Sequence, residues 1–150
     1  MLAGAFENVL LVRAGAQICA IPLRHVVETM RPLPLSPLSG VPPFVQGAAV
    51  VRGEAAPVVH LSALLGRGGS GPPKRLVLIR SGSRRVLLGV DTVVRVAELP
   101  PVDGVPLLEE AAGGAIAALG ALDRDLLAVL DASRLVPEDV WEAMATGISK

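Results

Sequence analysis

The stretch RGEAAPVVHLSALL at residues 52–65 is the main guide to the architecture, because it returns in outline as DRDLLAVLDASRLV at residues 123–136. Both stretches begin with a charged turn, continue as an apolar run, and place a polar residue two positions before a serine. Asp125 follows Glu54 by 71 residues, and no gap interrupts the echo. Repetition on this scale predicts two similar lobes that meet at a seam. Chance similarity between apolar, strand-forming segments is the alternative.

A second and looser echo lies upstream of each copy. Residues 17–21 followed by Val26-Val27-Glu28 resemble residues 85–90 followed by Val93-Val94-Arg95, with two fewer residues between the strand and the valine pair. The echo therefore extends beyond a single hairpin, which strengthens the prediction of two lobes built from the same elements.

The composition indicates one domain, residues 1–150, with an aliphatic core. Hydrophobic residues make up 51% of the chain and aromatic residues only 2%, and a chain of this size buries about 70% of its unfolded surface. The 14 basic and 14 acidic residues cancel. A neutral chain lacks the basic face that sequence-independent binding of nucleic acid or anionic lipid requires. Three aromatic rings (Phe6, Phe44 and Trp141) are too few for stacking on single-stranded nucleic acid.

The single cysteine and the N-terminal sequence point to a cytosolic protein. Cys19 has no second cysteine to pair with and lies in an apolar strand pattern, so it is expected to be a core residue. The first eight residues lack a basic region, and no run of 18 apolar residues occurs. We therefore expect a cytoplasmic chain that does not insert into a membrane.

The distribution of turn signals predicts an all-β fold of small barrels with nine or ten short strands. Predicted strands cover 9–13, 17–21, 47–51, 55–60, 75–80, 85–90, 93–99, 116–122 and 126–130, and residues 66–73 are predicted to be a flexible connector. Residues 23–30, after Pro22, have the spacing of one or two helical turns. Five prolines make 31–43 a loop, and Pro137-Glu138-Asp139 predicts the start of a closing helix over 140–145.

No catalytic or metal-binding constellation stands out. The glycine-rich segment 66–71 runs into two prolines rather than into a helix, unlike a phosphate-binding loop. The histidines have no ligand partner at metal spacing, so neither a metal nor a cofactor is expected. The alternative function is a small hydrolase or ligand-binding β-barrel that uses His60, Ser62 and Asp131. In a hydrolase, Ser62 would be the nucleophile, His60 the base and Asp131 the residue that orients the base. The echo makes His60 and Asp131 equivalent, which favours residues that close strands by binding backbone groups in a turn.

Glu28 and Arg52 are the remaining polar candidates. Each follows a pair of valines, and Arg52 precedes Gly53 at a predicted strand end. A planar guanidinium between apolar neighbours commonly binds a carboxylate with two parallel hydrogen bonds. The residues are thus either a brace between the lobes or a charged pair at the rim of a protein-docking groove, and one residue could serve in both ways.

Residues 44–61, FVQGAAVVRGEAAPVVHL, resemble the signature of the CheW-like domain family, whose pattern reads Gly-x-x-x-Leu-Arg-Gly-x-x-x-Pro-x-x-Asp-Leu. Supporting matches follow in the family's order at 21–28, 90–93 and 119–122, so the resemblance covers about residues 9–136. It implies two small five-stranded SH3-like barrels packed around an apolar core. It also implies a non-catalytic adaptor between methyl-accepting chemoreceptors and a CheA-type histidine kinase.

The resemblance further implies two docking surfaces. The helical hairpin of the receptor tip would lie in a groove between the two barrels, lined by Val26, Val27, Glu28, Val51, Arg52 and Gly53. The regulatory domain of the kinase would pack on an apolar edge that includes Ala55 and Leu76. This sequence departs from the family pattern in having Val50 and Val51 in place of Asn-Leu, His60 in place of the acid, and small residues at Ala55-Ala56.

Overall fold

The computed structural model describes residues 7–66, 72–99, 116–122, 125–130 and 135–147, with a backbone description alone for 99, 116–122, 125–128 and 146–147. Its strands are β1 Glu7–Ala14, β2 Gln17–Pro22, β3 Val26–Met30, β4 Val45–Val51, β5 Glu54–His60, β6 Arg75–Ser81, β7 Arg84–Val90, β8 Thr92–Leu99, β9 Ile116–Leu122 and β10 Asp125–Leu130. A 3₁₀ helix covers Leu23–His25, and two α-helices cover Leu61–Leu64 (α1) and Glu138–Gly147 (α2). The all-β class and the closing helix are confirmed.

The ten strands form two five-stranded sheets whose strand orders are related. Sheet 1 has the order β3-β6-β7-β5-β4, and sheet 2 has the order β8-β1-β2-β10-β9. If five is added to each strand number of sheet 1, and the resulting 11 and 12 are read as β1 and β2, the result is the strand order of sheet 2. Each sheet therefore receives one hairpin, β6–β7 or β1–β2, from the other half of the chain. β4 and β9 begin and end 71 residues apart, as the sequence echo requires.

Among the described residues, alternation of side chains along the central strands creates three apolar clusters. In β7, Val86, Leu88 and Val90 belong to a core shared by both sheets, and Leu87 belongs to a core within sheet 1. In β1, Leu10 and Val12 belong to the shared core, while their neighbours face a core within sheet 2. Strands buried on both faces need nearly continuous apolar sequence. This explains the aliphatic runs and confirms the apolar core between the two units.

The segment after β2 differs from its prediction. Only Leu23–His25 is helical, as a single 3₁₀ turn, and Val26–Met30 is a strand that pairs with β6. The 3,4 spacing of apolar residues in 23–30 is thus not a buried helical stripe, and Val27 is 45% exposed. The run Val-Val-Glu-Thr-Met is rich in β-branched residues, which favour a pleated strand when a partner strand is available.

One helix of the structure was not predicted, and one predicted loop is present. The four-residue helix α1 was not predicted; it begins directly after β5 and buries Leu61 and Leu64. Most of the predicted connector, residues 67–71, lies outside the described residues. Residues 31–43 form a loop, as predicted, and Ser36 in this loop makes an isolated antiparallel bridge to Ala48 of β4.

Candidate functional site

Glu28 and Arg52 form an exposed, two-pronged ion pair. Arg52 Nε donates to Glu28 Oε2 at 2.7 Å, and Arg52 Nη2 donates to Glu28 Oε1 at 3.0 Å. The Arg52 side chain is 68% exposed and the Glu28 side chain 29% exposed. The hydrogen bonds from Arg52 lower the pKa of the Glu28 carboxyl, and the reciprocal bonds raise the pKa of the Arg52 guanidinium. Both groups are therefore charged and held in one orientation.

The tight turn between β4 and β5 positions Arg52. Val51 pairs with Glu54, so Arg52 and Gly53 form a two-residue turn. Their φ angles are 50° and 81°, and among the described residues Arg52 is the one non-glycine residue with a positive φ. A pair of left-handed residues is the hallmark of the hairpin turn that matches the right-handed twist of strands. The turn therefore directs the guanidinium away from the hairpin, toward β3.

An irregularity in β3 positions Glu28. The register with β6 shifts between Val26, opposite Ile79, and Glu28, opposite Leu78, so Val27 is the extra residue. A bulge of this kind re-aims the side chains around it. Val26 packs against the shared core, whereas Val27 is 45% exposed. The exposed Val27 is thus the direct sequence neighbour of Glu28, which makes the charged pair.

The pair joins the two end strands of one sheet. β3 and β4 lie at opposite ends of the order of sheet 1, yet the side chain of β3 binds the turn that ends β4. The expected brace between the lobes is therefore corrected: the brace lies within sheet 1 and holds that sheet in a curled shape. Its exposure leaves the docking interpretation open as well.

The other predicted groove residues divide by burial. Gly53 is exposed and Val26 is half-buried, whereas Val51 is only 6% exposed and belongs to the core within sheet 1. Val51 points inward because alternate residues of β4 face opposite sides. It supports the turn from beneath and contributes no exposed side chain to a groove.

The predicted apolar edge also needs correction. Ala55 is exposed, but Leu76 is 0% exposed and lies inside sheet 1. Its side chain is enclosed, so it is not available to a partner in this conformation. Val50, directly opposite Ala55, is 66% exposed and is a surface residue that the sequence interpretation missed. The alternation between the neighbouring Val50 and Val51 was the available signal.

A second exposed ion pair holds α2 against sheet 1. Arg84 Nη1 donates to Glu138 Oε1 at 3.0 Å and Arg84 Nη2 to Glu138 Oε2 at 2.7 Å. The same guanidinium lies over the ring of Trp141, 4.8 Å from its centroid. These hydrogen bonds lower the pKa of Glu138 and raise that of Arg84. Val140 is completely buried in the shared core, so α2 is anchored at both the core and the surface.

The structure describes two of the three residues of the hydrolase hypothesis, His60 and Ser62. His60 caps α1, because the Ala63 backbone N–H donates to His60 Nδ1 at 3.2 Å. Ser62 lies in α1, and Asp131 is outside the described residues. Capping uses the lone pair of Nδ1 and matches the expectation that His60 binds backbone in a turn.

Metal and membrane features are also absent from the described ranges. Among these residues, no group of three or more His, Cys, Asp or Glu side chains is placed to hold a metal ion. Cys19, the single cysteine of the chain, is buried. Within the same part of the chain, none of the helices has the length and apolar character needed to cross a membrane.

The fold and site define a small all-β module with an exposed charged pair beside apolar side chains. The sequence profile of the CheW-like domain matches residues 8–140. The chain therefore belongs to the CheW-like domain family. It is also 33% identical over 96 residues to Protein FrzA from Myxococcus xanthus, an alignment that covers 63% of this chain and 60% of FrzA.

A solved structure has the same fold. The scaffolding protein TtCheW from Thermoanaerobacter tengcongensis superposes with a TM-score of 0.74, covering 85% of this chain and 90% of TtCheW at 17% identity. The expected fold of two SH3-like units is thereby confirmed. At this level of identity the likeness concerns the fold alone.

Proposed function

We propose that this chain is a non-catalytic, cytoplasmic adaptor that couples a methyl-accepting chemoreceptor to a CheA-type histidine kinase. The observation that carries the proposal is the exposed Glu28–Arg52 pair beside Val27, in a chain of the CheW-like family. TtCheW, which shares the fold, is itself described as a scaffolding protein. We also propose that the two related sheets are pseudo-equivalent subdomains of a single CheW-like domain.

The receptor-binding surface is centred on Glu28 and Arg52. An amphipathic helical hairpin binds a surface that offers apolar anchors and a few fixed polar groups. Val27 supplies the exposed apolar contact, with Val26 at its base and Gly53 giving close access to the backbone of the turn. Because the guanidinium is held by two hydrogen bonds, little side-chain freedom remains to be lost on binding.

The kinase-binding surface is the outer face of the β4–β5 hairpin. Val50 and Ala55 lie opposite each other and are both exposed, so they form a small apolar pair next to the Arg52 turn. A barrel of the kinase's regulatory domain packs on this pair, and Leu76 supports the hairpin from inside the sheet. Two partners held by one adaptor have a high effective concentration with respect to each other, which stabilises the assembly.

A reconstitution with purified components tests the proposal. The chain is mixed with a receptor cytoplasmic fragment and the kinase regulatory domain from the same source, and co-sedimentation of all three is measured. We expect all three proteins to co-sediment. When the adaptor is omitted, the receptor fragment and the kinase domain should not co-sediment with each other. Failure to bind either partner would overturn the adaptor function.

The hydrolase alternative has a direct test of its own. The purified chain is incubated with a panel of short-chain esters, alongside Ser62→Ala. We expect no turnover above buffer from either protein, because the capping role of His60 occupies Nδ1. Turnover that disappears in Ser62→Ala would establish an enzyme and would displace the adaptor proposal.

A further inference from the structure

β4 is an end strand with the composition of an aggregation-prone edge. Its sequence, VQGAAVV at residues 45–51, contains no charged residue. It lies at one end of sheet 1, so no strand among the described residues neighbours one side of its backbone. Uncharged, β-prone end strands pair with other chains unless something blocks them.

The loop that precedes β4 lies against this side of the strand. Ser36 N–H donates to Ala48 O and Ala48 N–H donates to Ser36 O, both at 2.8 Å. A Cβ added to Gly47, whose φ is 142°, would be 2.5 Å from the Ser36 carbonyl oxygen. Glycine at position 47 is therefore what allows the loop to approach so closely.

The loop covers β4 only in part. In the antiparallel register set by Ser36 and Ala48, Pro34 comes opposite Val50. Proline has no backbone N–H, so it cannot complete the next pair of hydrogen bonds. The backbone groups of Val50 point to the same side as those of Ala48, because alternate residues of a strand share their hydrogen-bonding direction. The 66% exposure of Val50 agrees with an open position there.

We propose that residues 31–38 are an edge guard, which keeps β4 from pairing with β4 of a second copy of this chain. A two-fold antiparallel pairing centred on Ala49 places Ala48 of each copy opposite Val50 of the other. Both residues direct their backbone groups outward, so each such pair exchanges two hydrogen bonds. β4 carries no charge that would repel its own copy, and this makes a second copy the natural occupant.

In the native chain the edge guard binds β4 in preference to a second molecule, because the guard is covalently connected to β4. Ser36 is connected to β4 through a short segment, so its effective concentration at Ala48 exceeds the concentration of a second molecule. The bridge is made by a single residue pair, and a single substitution should therefore release it. The device is tested on the purified chain without partners, so its failure is distinguishable from a failure of the adaptor function.

The test compares Ser36→Pro, which lacks the bridging N–H, with Ser39→Pro, the same substitution in an exposed part of the same loop. Circular dichroism checks folding, hydrogen exchange reports the Ala48 amide, and sedimentation velocity gives the mass. We expect the wild type and Ser39→Pro to have the mass of one chain. Ser36→Pro loses the N–H that donates to Ala48 O and puts a proline ring against that oxygen, so at a concentration low enough to keep single chains its Ala48 amide should exchange faster than in the wild type. At tens of micromolar its mass should double. If it does not fold, Gly47→Ala serves as the second releasing variant.

A lysine at the centre of the exposed edge completes the design. Val50→Lys in the Ser36→Pro background should return the mass to that of one chain, because edge lysines oppose strand pairing. The inference is overturned if the released variant keeps the mass of one chain, or if it still doubles with Lys at position 50. It is also overturned if, at the low concentration, the Ala48 amide of a releasing variant is as well protected as that of the wild type.

Discussion

Arg52 binds Glu28 through two hydrogen bonds of 2.7 and 3.0 Å, and in doing so it connects the turn that ends β4 with β3, the strand at the other end of the same sheet. One exposed pair therefore combines the two roles considered from the sequence. It fixes the curvature of sheet 1, and it presents an oriented guanidinium on the surface. The proposed receptor contact rests on that second role.

Arg52→Ala is expected to weaken receptor binding by about tenfold or more, because arginine is enriched among binding hot spots. The melting temperature should change little, since the side chain is 68% exposed. Binding is measured by titration calorimetry with a receptor fragment. Arg80→Ala removes an exposed arginine of the same sheet and is the control. A collapse of thermal stability with unchanged affinity would assign Arg52 to bracing alone.

The Glu28 carboxyl should titrate below its ordinary pKa of 4.5, because the Arg52 hydrogen bonds favour its charged form. A depressed pKa in the folded state contributes stability above the unfolded value, and this stability is lost as the pH falls through the folded value. The stability difference between wild type and Arg52→Ala should therefore shrink on acidification. Carboxyl NMR measures the pKa directly. A Glu28 pKa that is the same in both proteins would contradict the geometry.

Leu76 and Ala55 should respond in opposite ways to substitution. Leu76→Ala leaves a cavity in the core within sheet 1 and is expected to lower the free energy of unfolding by about 2–5 kcal/mol. Ala55→Asp adds a charge to an exposed position and should leave stability nearly unchanged while abolishing association with the kinase. Denaturant unfolding and pull-down assays are compared for both. An unchanged pull-down with Ala55→Asp would remove this face from the proposed assembly.

Gly47→Ala should be clearly more destabilising than Gly40→Ala. Both glycines have positive φ, but a Cβ at Gly47 meets Ser36 O at 2.5 Å, whereas a Cβ at Gly40 meets nothing within 4 Å. Backbone strain common to both variants costs about 1–3 kcal/mol, and the steric conflict adds to it only at position 47. Urea denaturation gives the difference. Equal losses would mean that the loop moves aside freely.

Trp141 offers a direct report on the docking of α2, because it is the single tryptophan of the chain. Arg84→Ala removes both the ion pair to Glu138 and the cation over the ring. Relative to the wild type, we expect the Trp141 fluorescence to change more in Arg84→Ala than in Glu138→Ala, because the second variant removes the ion pair alone. A double-mutant cycle on unfolding separates the two contributions. Identical spectra for all three proteins would show that Arg84 does not contact the ring in solution.

Much of the fold followed from the sequence because local chemistry decides it. Period-two alternation and turn residues predicted the hairpins. The turn between β4 and β5 lies at Arg52 and Gly53, as predicted, and both residues have the left-handed φ angles of a tight hairpin turn. The helical prediction for residues 23–30 was wrong beyond His25, because pairing with β6 overrides a weak local preference. The residue types made it foreseeable that the Arg52 guanidinium would bind a carboxylate with two hydrogen bonds, as it binds Glu28. The strand that supplies this carboxylate was not foreseeable.

The sequence by itself determined nine of the ten described strands, the aliphatic core, the internal repeat and the membership of a family. Only the tertiary structure showed that each sheet takes a hairpin from the other half of the chain, and that Leu76 and Val51 are enclosed while Val50 is exposed. The reason is physical: turns and side-chain alternation are set by neighbouring residues, whereas strand order and burial depend on which distant strands pair. That choice is made by the packing of the shared core.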